Sequence, residues 1–228
     1  MNILCIIPAR SGSKGIKHKN IKLFRGKPLL IWSIIQAKQC KYNMKILVST
    51  DSEEYLNIAK KAGAEVPFLR PKELSGDLST DYEFIKYTLD KLKEKEKYIP
   101  DIIVQLRPTY PTRKVEDLDR CIEIFIKERE NGYTSLRTIV PFEKSPYKMY
   151  TIKGNHLEPL FKDINGTLEE PYNRCRQELP QAFLHNGCID IMNANIIHEG
   201  TISGNKIYGY IMNEEETKDI DYEKDWVE

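Results

Sequence analysis

The chain has 228 residues, enough for one domain with an appendage, and its 40% hydrophobic and 30% charged content is that of an ordinary globular protein. Its 35 basic and 34 acidic residues leave a formal net charge of +1. That near balance excludes a general nucleic-acid binder, which needs a basic excess, and no apolar run reaches the roughly 20 residues that span a membrane.

Residues 3–7 form a continuous apolar run, the pattern of a strand buried on both faces. Residues 27–28 open a helical pattern, with Leu30, Ile34 and Ala37 at helical spacing and Pro28 suited to a first turn. A second strand is expected at 46–48. Ser52 then caps a helix with Tyr55, Ile58, Ala59 and Ala62 on one face and Gly63 as its stop. Residues 66–69 read as a short strand. A long helix starts at Thr80 or Asp81, with Ile85, Thr88, Leu89 and Leu92 inward, followed by a strand at 102–106 and a helical stripe of Leu118, Cys121, Ile122 and Phe125. This alternation predicts an α/β layered sheet, in which ligands bind at the carboxyl ends of the strands. Beyond about residue 141 the pattern is β-rich. Residues 149–153 and 157–161 flank Gly154-Asn155 as a hairpin, and further strands are expected at 187–192 and 206–212. No linker or repeat interrupts the chain, so residues 1–228 are read as a single domain with an insertion at about 141–195.

Directly after the first strand comes IPARSGSKGIKHKN, residues 7–20. Arg10, Lys14, Lys17 and Lys19 are interleaved there with Ser11, Gly12, Ser13 and Gly15. Small residues let backbone N–H groups approach a phosphate, and the cations supply charge. The stretch is neither a Walker A loop nor a GxGxxG fingerprint. The five cysteines, at 5, 40, 121, 175 and 188, form no CxxC pair, so neither a disulfide framework nor a zinc site is expected. The four histidines have no metal spacing. Met1-Asn2 leads straight into a strand without a signal-peptide layout, so a cytoplasmic location is expected. Asp219-Ile220-Asp221 pairs two carboxylates; on the residues alone it reads equally as a Mg²⁺ site or as an acidic surface turn.

Several motifs in order carry a resemblance: IPARSGSKGIKHKN, then VSTD at 48–51, LRPKEL at 69–74, RPTYPTR at 107–113, SPYK at 145–148, RQELPQAF at 176–183, NG at 186–187 and DID at 219–221. Together they resemble the CMP-sialic acid synthetases (acylneuraminate cytidylyltransferases), whose relatives activate legionaminic and pseudaminic acids for cell-surface glycans. The resemblance implies a Rossmann-like nucleotidyltransferase fold, with a mostly parallel sheet flanked by helices and a β-rich dimerisation insertion. It implies a homodimer that transfers CMP from CTP to an acidic 2-keto-3-deoxy sugar. Ala9, Arg10, Ser11, Gly12, Ser13, Lys14, Lys19, Asn20, Arg70 and Thr80 are then the nucleotide contacts. Asp219 and Asp221 hold Mg²⁺, and Lys148, Arg176 and Gln177 serve the sugar. Arg10, Lys19 and Asp221 carry the catalytic charge. The usual QPTSPLR reads RPTYPTR here, and Asp190 stands where the family often has tyrosine. Arg107 and Asp190 are therefore expected to line the sugar pocket as a changed pair. Two other readings remain: the same fold with an octulosonic acid, a phosphorylated acceptor or another base, and a non-catalytic nucleotide-binding protein.

Overall fold

The computed structural model describes residues 1–213 and 218–226. They form two compact units, Met1–Thr138 with Asn186–Glu228, and Ile139–His185. The α/β layers are built from β1 (Ile3–Pro8), α1 (Leu29–Gln39), β2 (Lys45–Ser49), α2 (Glu53–Lys61), α3 (Asp81–Glu96), β3 (Ile102–Gln105), α4 (Val115–Glu128), β4 (Ser135–Phe142), β5 (Ala182–Asn193) and β6 (Ile207–Ile211), with residues 139–142 of β4 and 182–185 of β5 counted in the second unit. The strand order is β6-β4-β5-β3-β1-β2. β1 pairs in parallel with both β2 and β3, and β5 runs antiparallel to β3 with Asp190 opposite Gln105. From β1 the chain crosses through α1 to β2 on one flank of the sheet, and from β3 it crosses through α4 to β4 on the other flank. The crevice between the ends of β1 and β3 is therefore the topological switch point of the sheet.

Alternation along the strands sends Leu4, Ile6, Leu47, Ile103 and Met192 to one face, where Phe84, Ile85, Leu89 and Leu92 of α3 cover them. Cys5, Ile7 and Val104 point to the other face, on the side of α1 and α4. The helix ends follow their sequence signals. The Ser52 side chain accepts the Tyr55 N–H, Gly63 has a φ of 87°, and Thr80 with Glu83 forms a complete capping box. Pro28 sits one residue earlier than expected, as the N-cap of α1, in a short ribbon of Leu23–Phe24 with Lys27–Pro28. The strand expected at 66–69 does not form. One bridge joins Leu47 to Glu65, and then Pro67, which has no N–H, cannot continue the ladder.

The second unit, Ile139–His185, overlaps the expected insertion, whereas residues 186–193 belong to the main sheet as part of β5. Its hairpin pairs Tyr150–Lys153 with His156–Pro159. A smaller ribbon, Asp163–Ile164 with Leu168–Glu169, turns at Asn165-Gly166, both at positive φ, the Asn-Gly preference of tight hairpins. Tyr147 packs against Phe161 and Tyr150 against Tyr172.

Candidate active site

The loop after β1 begins at Ala9, whose N–H donates to the Ser49 carbonyl at the end of β2. Asp51 then fixes the next residue twice. It accepts the Ser11 N–H and the Ser11 hydroxyl, each at 2.8 Å. Buried Asn20 closes the loop by donating to the Arg10 carbonyl at 3.0 Å. His18, at a φ of 55°, sets its ring 3.2 Å from the hydroxyl of the buried Tyr55 on α2. With both ends held, the cations project along one side. Arg10 Nη1 lies 3.0 Å from Asp77 Oδ1, Lys14 Nζ lies 2.7 Å from Asp77 Oδ2, and Lys19 Nζ lies 2.7 Å from Asp221 Oδ1.

The acidic segment is brought to this loop by its middle residue. Ile220 is buried with Ile16, Phe24 and Leu29, and its N–H donates to the Thr109 carbonyl at 3.0 Å. Burying an isoleucine stabilises by roughly 2 kcal/mol, enough to pin a short segment. Asp219 and Asp221 flank it and are exposed as whole residues, although the Asp219 carboxyl group turns inward to Thr109 and Tyr110. Burial of its carboxyl group and then the charge of Asp221 push Asp219 above the ordinary aspartate range, against hydrogen bonding from Thr109 and Tyr110. Gly15 permits the approach: a Cβ there would stand 2.5 Å from the Asp221 carbonyl oxygen.

A cleft of about 250 Å³ opens at this switch point, lined by Arg10, Ser13, Lys19 and Asn20 from the first loop, by Gly76, Asp77 and Ser79, and by Arg107, Pro108 and Thr109 after β3. Arg70, Asp81 and Phe84 complete the wall. Arg70 is buried with its guanidinium over the Phe84 ring, donating to the Ser49 hydroxyl at 3.0 Å and the Ser49 carbonyl at 2.7 Å. Burial brings its pKa down to about 10, although Asp51 and Asp81 oppose the shift. Thr80 lies outside this lining, and its hydroxyl serves the helix cap.

Arg107 faces the cleft, but its donors are largely engaged. Nη1 donates to the Gly187 carbonyl and to Asp190, each at 2.9 Å, and Nη2 donates to Asp81 at 2.7 Å. Burial alone would lower its pKa; Asp190 and Asp81 outweigh that and raise it. Gly187, at a φ of 72°, leaves the space that the guanidinium fills. Asp190 is not on the cleft wall: it is 2% exposed and lies against Arg107 and Arg137, because these two cations need a counter-charge inside the sheet. Lys148, Arg176 and Gln177 lie in the second unit, each exposed. Sequence reasoning missed Asp51, Asp77, Asp81 and Thr109. Asp51 and Thr109 sat inside quoted motifs, whereas Asp77 offered only a Gly-Asp turn in a stretch without periodicity.

Cations gathered beside paired carboxylates, at the switch point of an α/β sheet, make this cleft the candidate nucleotidyl-transfer site. A family model described as cytidylyltransferase matches residues 4–179. The chain is 32% identical over 225 residues to a post-translational flagellin modification protein B of Campylobacter coli, covering 98% of this chain and 92% of that one. It is 31% identical over 225 residues to an N-acylneuraminate cytidylyltransferase of Escherichia coli, covering 98% of this chain and half of that longer protein. A solved CMP:2-keto-3-deoxy-manno-octonic acid synthetase complexed with CTP superposes with a TM-score of 0.68 at 14% identity, covering 97% and 94% of the two chains, which shows the fold. The chain belongs to the cytidylyltransferase family and is a CTP-dependent nucleotidyltransferase.

Proposed function

We propose that this enzyme transfers CMP from CTP to the anomeric hydroxyl of an acidic 2-keto-3-deoxy sugar of the sialic acid type. The observation that carries the reading is the meeting of the phosphate loop with the acidic segment, Lys19 on Asp221 at 2.7 Å, beside Arg10 and Lys14. The sugar oxygen forms a bond to the α-phosphorus as the bond to the β-phosphate oxygen breaks. Pyrophosphate leaves with that electron pair, and the hydroxyl proton passes to solvent. Such chemistry is positioning and charge neutralisation. Arg10, Lys14 and Lys19 hold the triphosphate, the loop 9–14 with Asn20 shapes its seat, and Arg70 stiffens the wall behind it.

Asp219 and Asp221 fit a divalent cation. They are hard oxygen donors, and their one-residue spacing sets two carboxylates on one short segment. Mg²⁺ held there would neutralise the phosphate oxygens of the nucleotide. Lys148, Arg176 and Gln177 serve the acceptor carboxylate in a homodimer. Arg107, closed onto Asp81 and Asp190, favours one second reading: an acceptor of the same class other than N-acylneuraminate, such as an octulosonic acid.

The test is pyrophosphate release with CTP and Mg²⁺ against sialic, legionaminic, pseudaminic and octulosonic acids. Turnover with one of them is expected. Silence with all four, in protein that still binds CTP, overturns the acceptor class; a preference for another triphosphate overturns the base.

A further inference from the structure

Asp77 has no part in the transfer just described, yet it sits in the middle of the cations that serve it. Its two oxygens bridge Arg10 and Lys14 at 3.0 and 2.7 Å, much as one phosphate group would. The residue lines the cleft and stands on a built turn. The Gly76 N–H donates to the Ser79 hydroxyl at 3.0 Å, that hydroxyl donates to the Glu73 carbonyl at 3.2 Å, and the Ser75 hydroxyl donates to the Pro71 carbonyl at 3.0 Å. Arg10 also reaches the Ser75 carbonyl at 3.5 Å.

The two carboxylates that quench the loop differ in kind. Asp221 has Asp219 beside it, and a divalent cation can take over its charge and release Lys19. Asp77 is 44% exposed at its side chain, and its ion-pair partners are the two loop cations themselves, Arg10 and Lys14. It remains the competitor of whatever anion approaches Arg10 and Lys14. An exposed ion pair is weak enough for a polyanion to displace. Its cost falls only on ligands whose phosphates reach those two cations.

Resting on the proposed CTP chemistry, we infer that Asp77 is an internal phosphate surrogate, a determinant that weakens retention of pyrophosphate while leaving the nucleoside monophosphate end of the site untouched. Lys14 and Arg10 hold its carboxyl below the ordinary aspartate range, so the surrogate stays charged at neutral pH.

The test measures inorganic pyrophosphate binding in MgCl2 to the full chain, with CMP as control ligand. Asp77→Asn should bind pyrophosphate about 3–10-fold more tightly, with CMP affinity within about twofold. Lys14→Ala should weaken pyrophosphate, and in the double variant the gain from Asp77→Asn should shrink, because one of the two cations for which Asp77 and pyrophosphate compete is gone. Unchanged or weaker pyrophosphate binding in a folded Asp77→Asn protein overturns the inference, as does an equal gain for CMP. Wild-type protein that binds neither CTP nor pyrophosphate overturns the proposed function and this inference together; wild-type binding without a gain in the variant overturns this inference alone.

Discussion

Gly15 does something at the residue scale that no other side chain in the site can do. Its missing Cβ lets the phosphate loop touch the backbone of the acidic segment, and a backbone oxygen cannot rotate out of the way. Gly15→Ala should therefore separate Lys19 from Asp221, lowering kcat/KM for CTP by roughly 10–100-fold at a modest stability cost of about 1–3 kcal/mol. Steady-state kinetics beside a thermal melt checks this; unaltered kinetics would show that the two segments act independently. Asp221→Ala should abolish turnover while leaving the melt near wild type, since the side chain is 55% exposed and Ile220, not Asp221, anchors the segment. Retained activity in that variant would remove the metal assignment. The residue scale is also where the sequence was least informative. The pairing of Arg107 with Asp190 is legible only through two departures from the family motifs, and the fold adds that Asp190 is buried against Arg137 while Arg107 also holds Asp81. A salt bridge between positions 83 residues apart leaves no local pattern to read.

Among the elements, the α3 cap offers the clearest pH dependence. Glu83 accepts the Thr80 N–H at 2.7 Å, and that bond holds its pKa below the ordinary 4.5. A depressed carboxylate contributes stability that is complete above its unfolded value and is lost as pH falls through the folded one. Wild type should thus be more stable than Glu83→Gln at pH 7, and the gap should narrow as pH falls below the ordinary 4.5 and through the depressed folded value. A gap that stays constant in denaturant titrations across that range would assign the effect to packing. Elements with a strong local signal were legible from sequence: β1, β2, β3 and the apolar stripes of α2, α3 and α4 stand where periodicity placed them. β4, Ser135–Phe142, was not anticipated, because SLRTIVPF mixes polar and apolar residues and its place between β5 and β6 comes from non-local pairing. The acidic segment is not a regular element at all. Its position follows from one buried isoleucine and one hydrogen bond to Thr109, which no propensity encodes.

At the scale of the whole molecule, the second unit presents apolar side chains to solvent. Ile152 and Leu157 face each other across its hairpin and are 66% and 57% exposed. The proposed homodimer would cover such a surface. The proposed homodimer predicts a dimeric mass by light scattering, and Ile152→Glu with Leu157→Glu should give a monomer; a wild-type monomer at micromolar concentration would refute the assembly. The chain also contains only two tryptophans, Trp32 and Trp226, and both pack around the cluster that seats Ile220. Trp226 lies edge-on to Phe24 beneath the Lys22 ammonium, with its indole N–H on the Leu23 carbonyl. All of the indole emission of this protein thus originates under the carboxylate pair. The untreated enzyme carries its own optical reporter, and its ultraviolet fluorescence should shift as Mg²⁺ and CTP are titrated in, with no dye or label attached.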